Sequence, residues 1–233
     1  MISTHEAEVG SRFDALHGRF KPTVTRDDYR LRAVVEAVGP LRGLQILDLG
    51  CGKGRFARPL QAEGASVAGV DLSAAMLAEA MGIDRVRASA RRLPFRPCAF
   101  DAVIAIEVFE HLDRTLRRSA LKEARRVLRP GAVIVIVDKN IASLNVHRPW
   151  LPSFAVKRLD EYRGRWMYPC GSSVREHWFW PRAFQRELRR FFVDVRMVHL
   201  LSAAEGAKRL FRYVPAARLM TLWVGRVPGG CHV

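Results

Sequence analysis

Glycines at every second position follow a short apolar run in Ile46-Leu47-Asp48-Leu49-Gly50-Cys51-Gly52-Lys53-Gly54. Gln45–Leu49 reads as a buried strand and Arg55–Glu63 as a helix, with Gly64 placed to cap it. A strand that turns into a helix over glycines lets backbone approach a ligand closely, because no Cβ stands in the way. Such a unit belongs to an open sheet crossed over by helices. Its spacing departs from G-x-G-x-x-G, since the third glycine comes one place early and Arg55 holds the position it would take. The phosphate-cradling G-x-x-x-x-G-K-[ST] is absent.

The same alternation runs along the chain. Residues 26–38 form an amphipathic helix stopped by Gly39-Pro40, with Asp27 and Asp28 suited to its N-terminal end. Ser66–Val70 is a strand closed by Asp71, Ser73–Ala80 a helix and Val86–Ala88 a short strand. Phe100–Ile106 is a buried strand, Leu116–Leu128 a helix ended by Arg129-Pro130-Gly131, and Ala132–Val137 a fifth strand. Near-continuous apolar strands between helices predict a doubly wound, Rossmann-like, mostly parallel α/β sheet. Residues 140–180 break the pattern with Trp150, Tyr162, Trp166, Tyr168, Pro169, His177, Trp178 and Trp180. They are expected to form an irregular aromatic and basic lid inserted after strand five. Pro181–Phe192 (helix), Val193–Leu200 (strand), Ala203–Tyr213 (helix) and Met220–Val227 (strand) complete seven strands. A single domain over 1–233 is expected, with 1–25 an N-terminal extension, 30–139 the core and 181–233 its completion.

Composition narrows the class. Hydrophobic residues make up 49% and charged residues 27%, which excludes disordered, collagen-like and coiled-coil chains. The longest apolar run, 132–137, is far shorter than the roughly 18 residues of a membrane span. The first residues lack the apolar core of a signal peptide. Cys51, Cys98, Cys170 and Cys231 lie far apart without CxxC pairing, which disfavours a zinc cluster or a disulfide framework. A reducing, cytoplasmic setting is expected. The net charge is +16, and residues 140–233 hold 16 basic against 6 acidic side chains. That excess suits an anionic substrate, anionic lipid or RNA.

The chain resembles the class I S-adenosylmethionine-dependent methyltransferases at several places in order. ILDLGCGKGRFA (46–57), VAGVDLS (67–73), RLPFRPCAFDAVIAIEVFEHL (92–112) and LKEARRVLRPGAVIVI (121–136) each resemble a stretch of that family. The resemblance implies S-adenosyl-L-methionine as cofactor. Asp48, Gly50, Cys51 and Gly52 would then face its methionine part, and Asp71 the ribose diol. Leu72, Met76, Ala90 and Ile106 would line the pocket. Relatives often carry an acid after strand three for the adenine amino group, and Ser89 stands there in this chain.

Ile106-Glu107-Val108-Phe109-Glu110-His111 follows strand four at the edge where such sheets bind ligands. His111 is a candidate general base and Glu107 its neighbour in the site, while His177, Trp178 and Tyr162 are candidates for the acceptor. The leading reading is O-methylation of a small-molecule, lipid or glycan acceptor at a metal-free site. Glu107, Glu110, His111 and a later His177 are also similar to metal-dependent methyltransferases of RNA 3′ ends, so that reading stays open. A non-catalytic cofactor-binding protein serving a partner is the third.

Overall fold

The computed structural model describes residues 3–168, 172 and 174–229. Pro169, Cys170 and Cys231 lie outside them. Strands β1 (Gln45–Leu49), β2 (Ser66–Asp71), β3 (Asp84–Arg87), β4 (Phe100–Ile106), β5 (Leu128–Lys139), β6 (Val193–His199) and β7 (Met220–Arg226) form one sheet. Its order is β3-β2-β1-β4-β5-β7-β6. β1 through β5 pair in parallel, and β7 runs antiparallel to both β5 and β6.

Strand alternation explains the two apolar layers. Along β4, Val103 and Ala105 face one side with Leu116, Leu121 and Ala124 of helix α5 (Arg114–Val127). Ala102, Ile104 and Ile106 face the other with Leu31 and Val34 of α2 (Tyr29–Val38) and Leu60 of α3 (Ala57–Ala62). Successive strand side chains point to opposite faces, so a sheet covered on both sides needs apolar residues at every position.

Helix ends shift from the sequence expectations where capping side chains decide them. Asp28 accepts from Arg30 and Leu31 N–H and starts α2, later than residue 26. Asp113 caps α5 in the same way, and Ser73 caps α4 (Ala74–Glu79) by accepting from Met76 N–H. The expected lid is partly regular, since Ser153–Tyr162 forms helix α6 with a Lys157–Glu161 pair one turn apart. Pro181–Leu188 is helix α7. The single helix expected over 203–213 is two short ones, α8 (Ala203–Gly206) and α9 (Arg209–Tyr213), because Lys208 is extended and its ammonium reaches Val146 O. The largest departure is at the start. The stretch before residue 26 contains α1 (Thr4–Leu16), opened by a Ser3–Glu6 capping box and lying against α4. Among the described residues no helix is long and apolar enough to cross a membrane.

Candidate functional site

A cavity of about 350 Å³ lies at the C-terminal ends of β1, β2, β4 and β5. The glycine turn makes its floor. Gly50 has φ +72°, and a Cβ there would stand 2.4 Å from Val108 Cγ2. Gly50 and Cys51 N–H both donate to Val70 O, at 2.7 and 3.0 Å. Gly52, at φ +52°, donates its N–H to Asp71 Oδ2 at 2.8 Å, while Asp71 Oδ1 takes Ser73 N–H at 2.9 Å. The turn thus fixes the Asp71 carboxylate at the cavity wall, and burial raises its pKa against those hydrogen bonds. The Cys51 thiol faces Gly69, and burial pushes its pKa up.

Asp48 is 2% exposed, and its Oδ2 is buried with no hydrogen-bond partner. Burial, then the charge of Asp71, pushes it up to about 7. A buried acceptor left unmatched at a cavity wall suits a cationic donor. Leu72, Met76, Ala90 and Ile106 line the same cavity.

Arg30 and Arg55 were not legible in the sequence. Arg30 Nη1 and Arg55 Nη2 donate to Glu107 Oε2 at 2.6 and 3.0 Å, and Asp28 orients Arg30 through a second bond at 2.7 Å. Glu107 has φ +59°. Burial opposes its charge, but Lys139, Arg30 and Arg55 outweigh that and hold it below the usual carboxylate range.

Lys139, at the end of β5, sits among three carboxylates. Its Nζ donates to Glu110 and, at 2.7 Å, to Glu176, and it lies 3.7 Å from Glu107. Trp166 Nε1 donates to the other Glu176 oxygen at 2.5 Å. Burial raises Glu110 well above its ordinary pKa despite Lys139, because Glu176, Asp138 and Glu107 add repulsion. His111 stands beside this cluster on a 3-10 turn, Phe109–His111. Its Nδ1 meets Tyr168 Oη at 3.2 Å, and Phe13 of α1 packs edge-on against its ring. Burial lowers it to about 4, so the imidazole is neutral at physiological pH.

Four expected site residues are placed elsewhere. Ser89 does not line the cavity, because its hydroxyl donates to Glu6 of α1, which does. His177 is exposed, although its N–H donates to Glu110 O at 2.6 Å. Trp178 is 8% exposed and packs on Phe154 and Trp166 away from the cavity, and Tyr162 is 80% exposed at the end of α6. The segment runs beside Asn140 and bridges to it at Phe179. Burial alternates along it, Glu176 in, His177 out, Trp178 in, so the acid enters the site and the histidine does not.

Residues 47–136 match the family model of the methyltransferase domain. A ubiquinone biosynthesis O-methyltransferase of Cereibacter sphaeroides is 33% identical over 160 residues, 58% of this chain and 64% of that protein. One of Klebsiella pneumoniae is 32% identical over 142 residues, 57% of each. The chain therefore spans about three fifths of the length of these curated relatives. Among solved structures, an S-adenosylmethionine-dependent methyltransferase of Mesorhizobium loti superposes with a TM-score of 0.64 at 21% identity, over 86% of this chain and 98% of that one. The [4+2]-cyclase SpnF superposes with 0.65 at 16% identity, over 99% of this chain and 98% of that one. At such identities the likeness speaks for the fold alone.

Proposed function

From a chain that carries a class I S-adenosylmethionine-dependent methyltransferase domain, we propose O-methylation of a small-molecule, lipid or glycan acceptor. One observation carries the reading. A single cavity joins the Asp48 carboxylate, whose Oδ2 has no hydrogen-bond partner, and the Asp71 carboxylate to the neutral imidazole of His111. The O-methyltransferase relatives support a hydroxyl acceptor.

The residues fit the cofactor. The Asp48 carboxylate would face its ammonium and Asp71 its ribose hydroxyls, while Arg30 and Arg55, now on Glu107, offer guanidinium donors to its carboxylate. The bound cofactor supplies a methyl group on a sulfonium, open to in-line displacement. The chain's work is then to position the acceptor and remove its proton. Neutral His111 can accept that proton, and the Tyr168 hydroxyl at Nδ1 holds the ring in place. A metal-dependent reading would gather Glu107, Glu110, His111 and His177 around one ion. In this fold the Lys139 ammonium already lies among the carboxylates and His177 is turned outward, which supports the metal-free version.

The direct test is transfer of labelled methyl from S-adenosylmethionine into phenols, lipid and glycan extracts, and RNA, with and without EDTA. Transfer into hydroxyl compounds unaffected by EDTA is expected, and EDTA-sensitive transfer into RNA alone would overturn the proposal. Asp71→Ala is expected to weaken cofactor binding by about 1.5–3 kcal/mol in calorimetry, the range of a hydrogen bond to a charged group. Binding of nicotinamide or flavin nucleotides in place of S-adenosylmethionine would contradict the cofactor assignment.

Asp48 adds a pH dependence. Its pKa of about 7 means the free site holds a proton there below neutrality. A cationic ammonium favours the ionised carboxylate, so binding expels that proton. Affinity therefore falls as pH drops below 7, by about tenfold between pH 6 and pH 5. Asp48→Asn should bind more weakly at pH 7.5 and lose most of this slope. A slope unchanged in the variant would place the titration elsewhere.

A further inference from the structure

Beside Asp71 the cavity wall is apolar, built from Leu72, Met76, Ala88, Ala90 and, from α1, Val9. One carboxylate interrupts it. Glu6, in the first turn of α1, is 2% exposed and borders the cavity. Its Oε2 takes Ser3 N–H and Ser3 Oγ–H, each at 2.9 Å, and lies 3.3 Å from Arg91 Nε. Its Oε1 takes the hydroxyl of Ser89, which itself accepts Arg91 N–H at 3.2 Å. A carboxylate oxygen has room for two donors, so Oε1 keeps one acceptor direction. Asp14 holds the helix down by accepting from Ser73 Oγ at 2.5 Å and Ala75 N–H at 2.9 Å. Arg12 Nε ties it to Met167 O at 2.6 Å.

We propose that Glu6 reads the adenine of the cofactor, its Oε1 accepting from the exocyclic amino group while Ser89 holds the carboxylate in place. The inference rests on the cofactor assignment above. It makes α1 a wall of the nucleoside site and gives the acid missing after β3 a new source. An ionised acceptor in an apolar wall favours an amino donor and repels a keto oxygen at the same position. The hydrogen bonds of Ser3 and Ser89 keep Glu6 below its ordinary pKa against burial, consistent with an ionised acceptor.

The test is calorimetry on the full chain with S-adenosylhomocysteine and with S-inosylhomocysteine, which carries a keto oxygen in place of the amino group. The wild-type protein should prefer the adenosyl compound by at least about thirtyfold. Glu6→Gln can turn either its oxygen or its amide nitrogen to the base, so the preference should fall to within about threefold. Glu6→Ala should also lose it, and adding Ser89→Asp to that variant should restore it by returning the acid to the loop after β3. A wild-type preference that survives in Glu6→Gln overturns the inference while leaving the cofactor assignment intact. If the wild-type chain binds neither compound, the cofactor assignment itself fails, and this inference with it. A second measurement needs no variant. Hydrogen exchange of α1 amides should slow more with the adenosyl than with the inosyl compound when each is saturating, and equal protection would refute the role of Glu6.

Discussion

His111→Ala is expected to lower turnover by roughly 10²–10⁴-fold, the usual contribution of a positioned general base. Cofactor affinity should change little, because His111, on the turn after β4, is not one of the proposed cofactor ligands Asp48 and Asp71. The pH profile separates this role from a packing role. With cofactor saturating, wild-type turnover should stay level from pH 8 to about pH 5, because burial has lowered His111 to about 4. A break near 6.5 would mean a hydrated imidazole, contrary to its packing against Phe13 and Tyr168. His111→Gln, which keeps much of the volume, should lose turnover as fully as the alanine variant. Full activity in the glutamine variant would reduce His111 to a spacer.

Lys139→Met is expected to destabilise the fold by about 3–5 kcal/mol, as removal of one member of a buried ionic cluster does. That is a large share of the roughly 5–15 kcal/mol that holds a typical domain. Without the ammonium, Glu107, Glu110 and Glu176 remain close together, the last two buried. The loss should depend on pH. In the wild-type protein Glu107 and Glu176 lie below their ordinary values, so they stabilise the fold above about pH 4.5, and that contribution fades as they protonate on acidification. In the variant nothing compensates their burial and their pKa values rise, so protonation relieves repulsion. The difference between the two proteins should therefore be larger at pH 8 than at pH 5 in urea unfolding. Adding Glu176→Gln should recover part of it. An equal difference at both pH values would show that the cluster is hydrated.

The glycine turn and the two acids at the ends of β1 and β2 were legible because their spacing is local. Gly50, Gly52, Asp48 and Asp71 follow from a strand, a turn and a second strand. α1 was not legible, since it docks with Glu6, Asp14 and Arg12 through hydrogen bonds and buries only a short apolar face around Val9. An acid near a helix start ordinarily reads as a solvated end. Glu176 and His177 show a second limit. The segment was expected to reach the site, but which of two neighbours points inward depends on the phase of an extended stretch, and irregular sequence gives no phase. Lys139 becomes a site residue through sequence-distant partners, the carboxylates it donates to lying 29 and 37 residues away.

The place of β7 bears on how the chain reaches this state. It is the last strand in sequence, yet it lies inside the sheet and separates β5 from β6. A ribosome delivers β6 first, and β6 has no strand to pair with until residues 220–226 emerge. Through that interval the edge of β5 from Val133 to Lys139 presents open N–H and C=O groups beside buried-type residues such as Ile134 and Ile136. Such an edge invites pairing with another nascent chain. The ladder that closes it pairs Lys139 with Met220 and Val133 with Arg226, partners 81 and 93 residues apart, so completion of the sheet waits on a sequence-distant encounter.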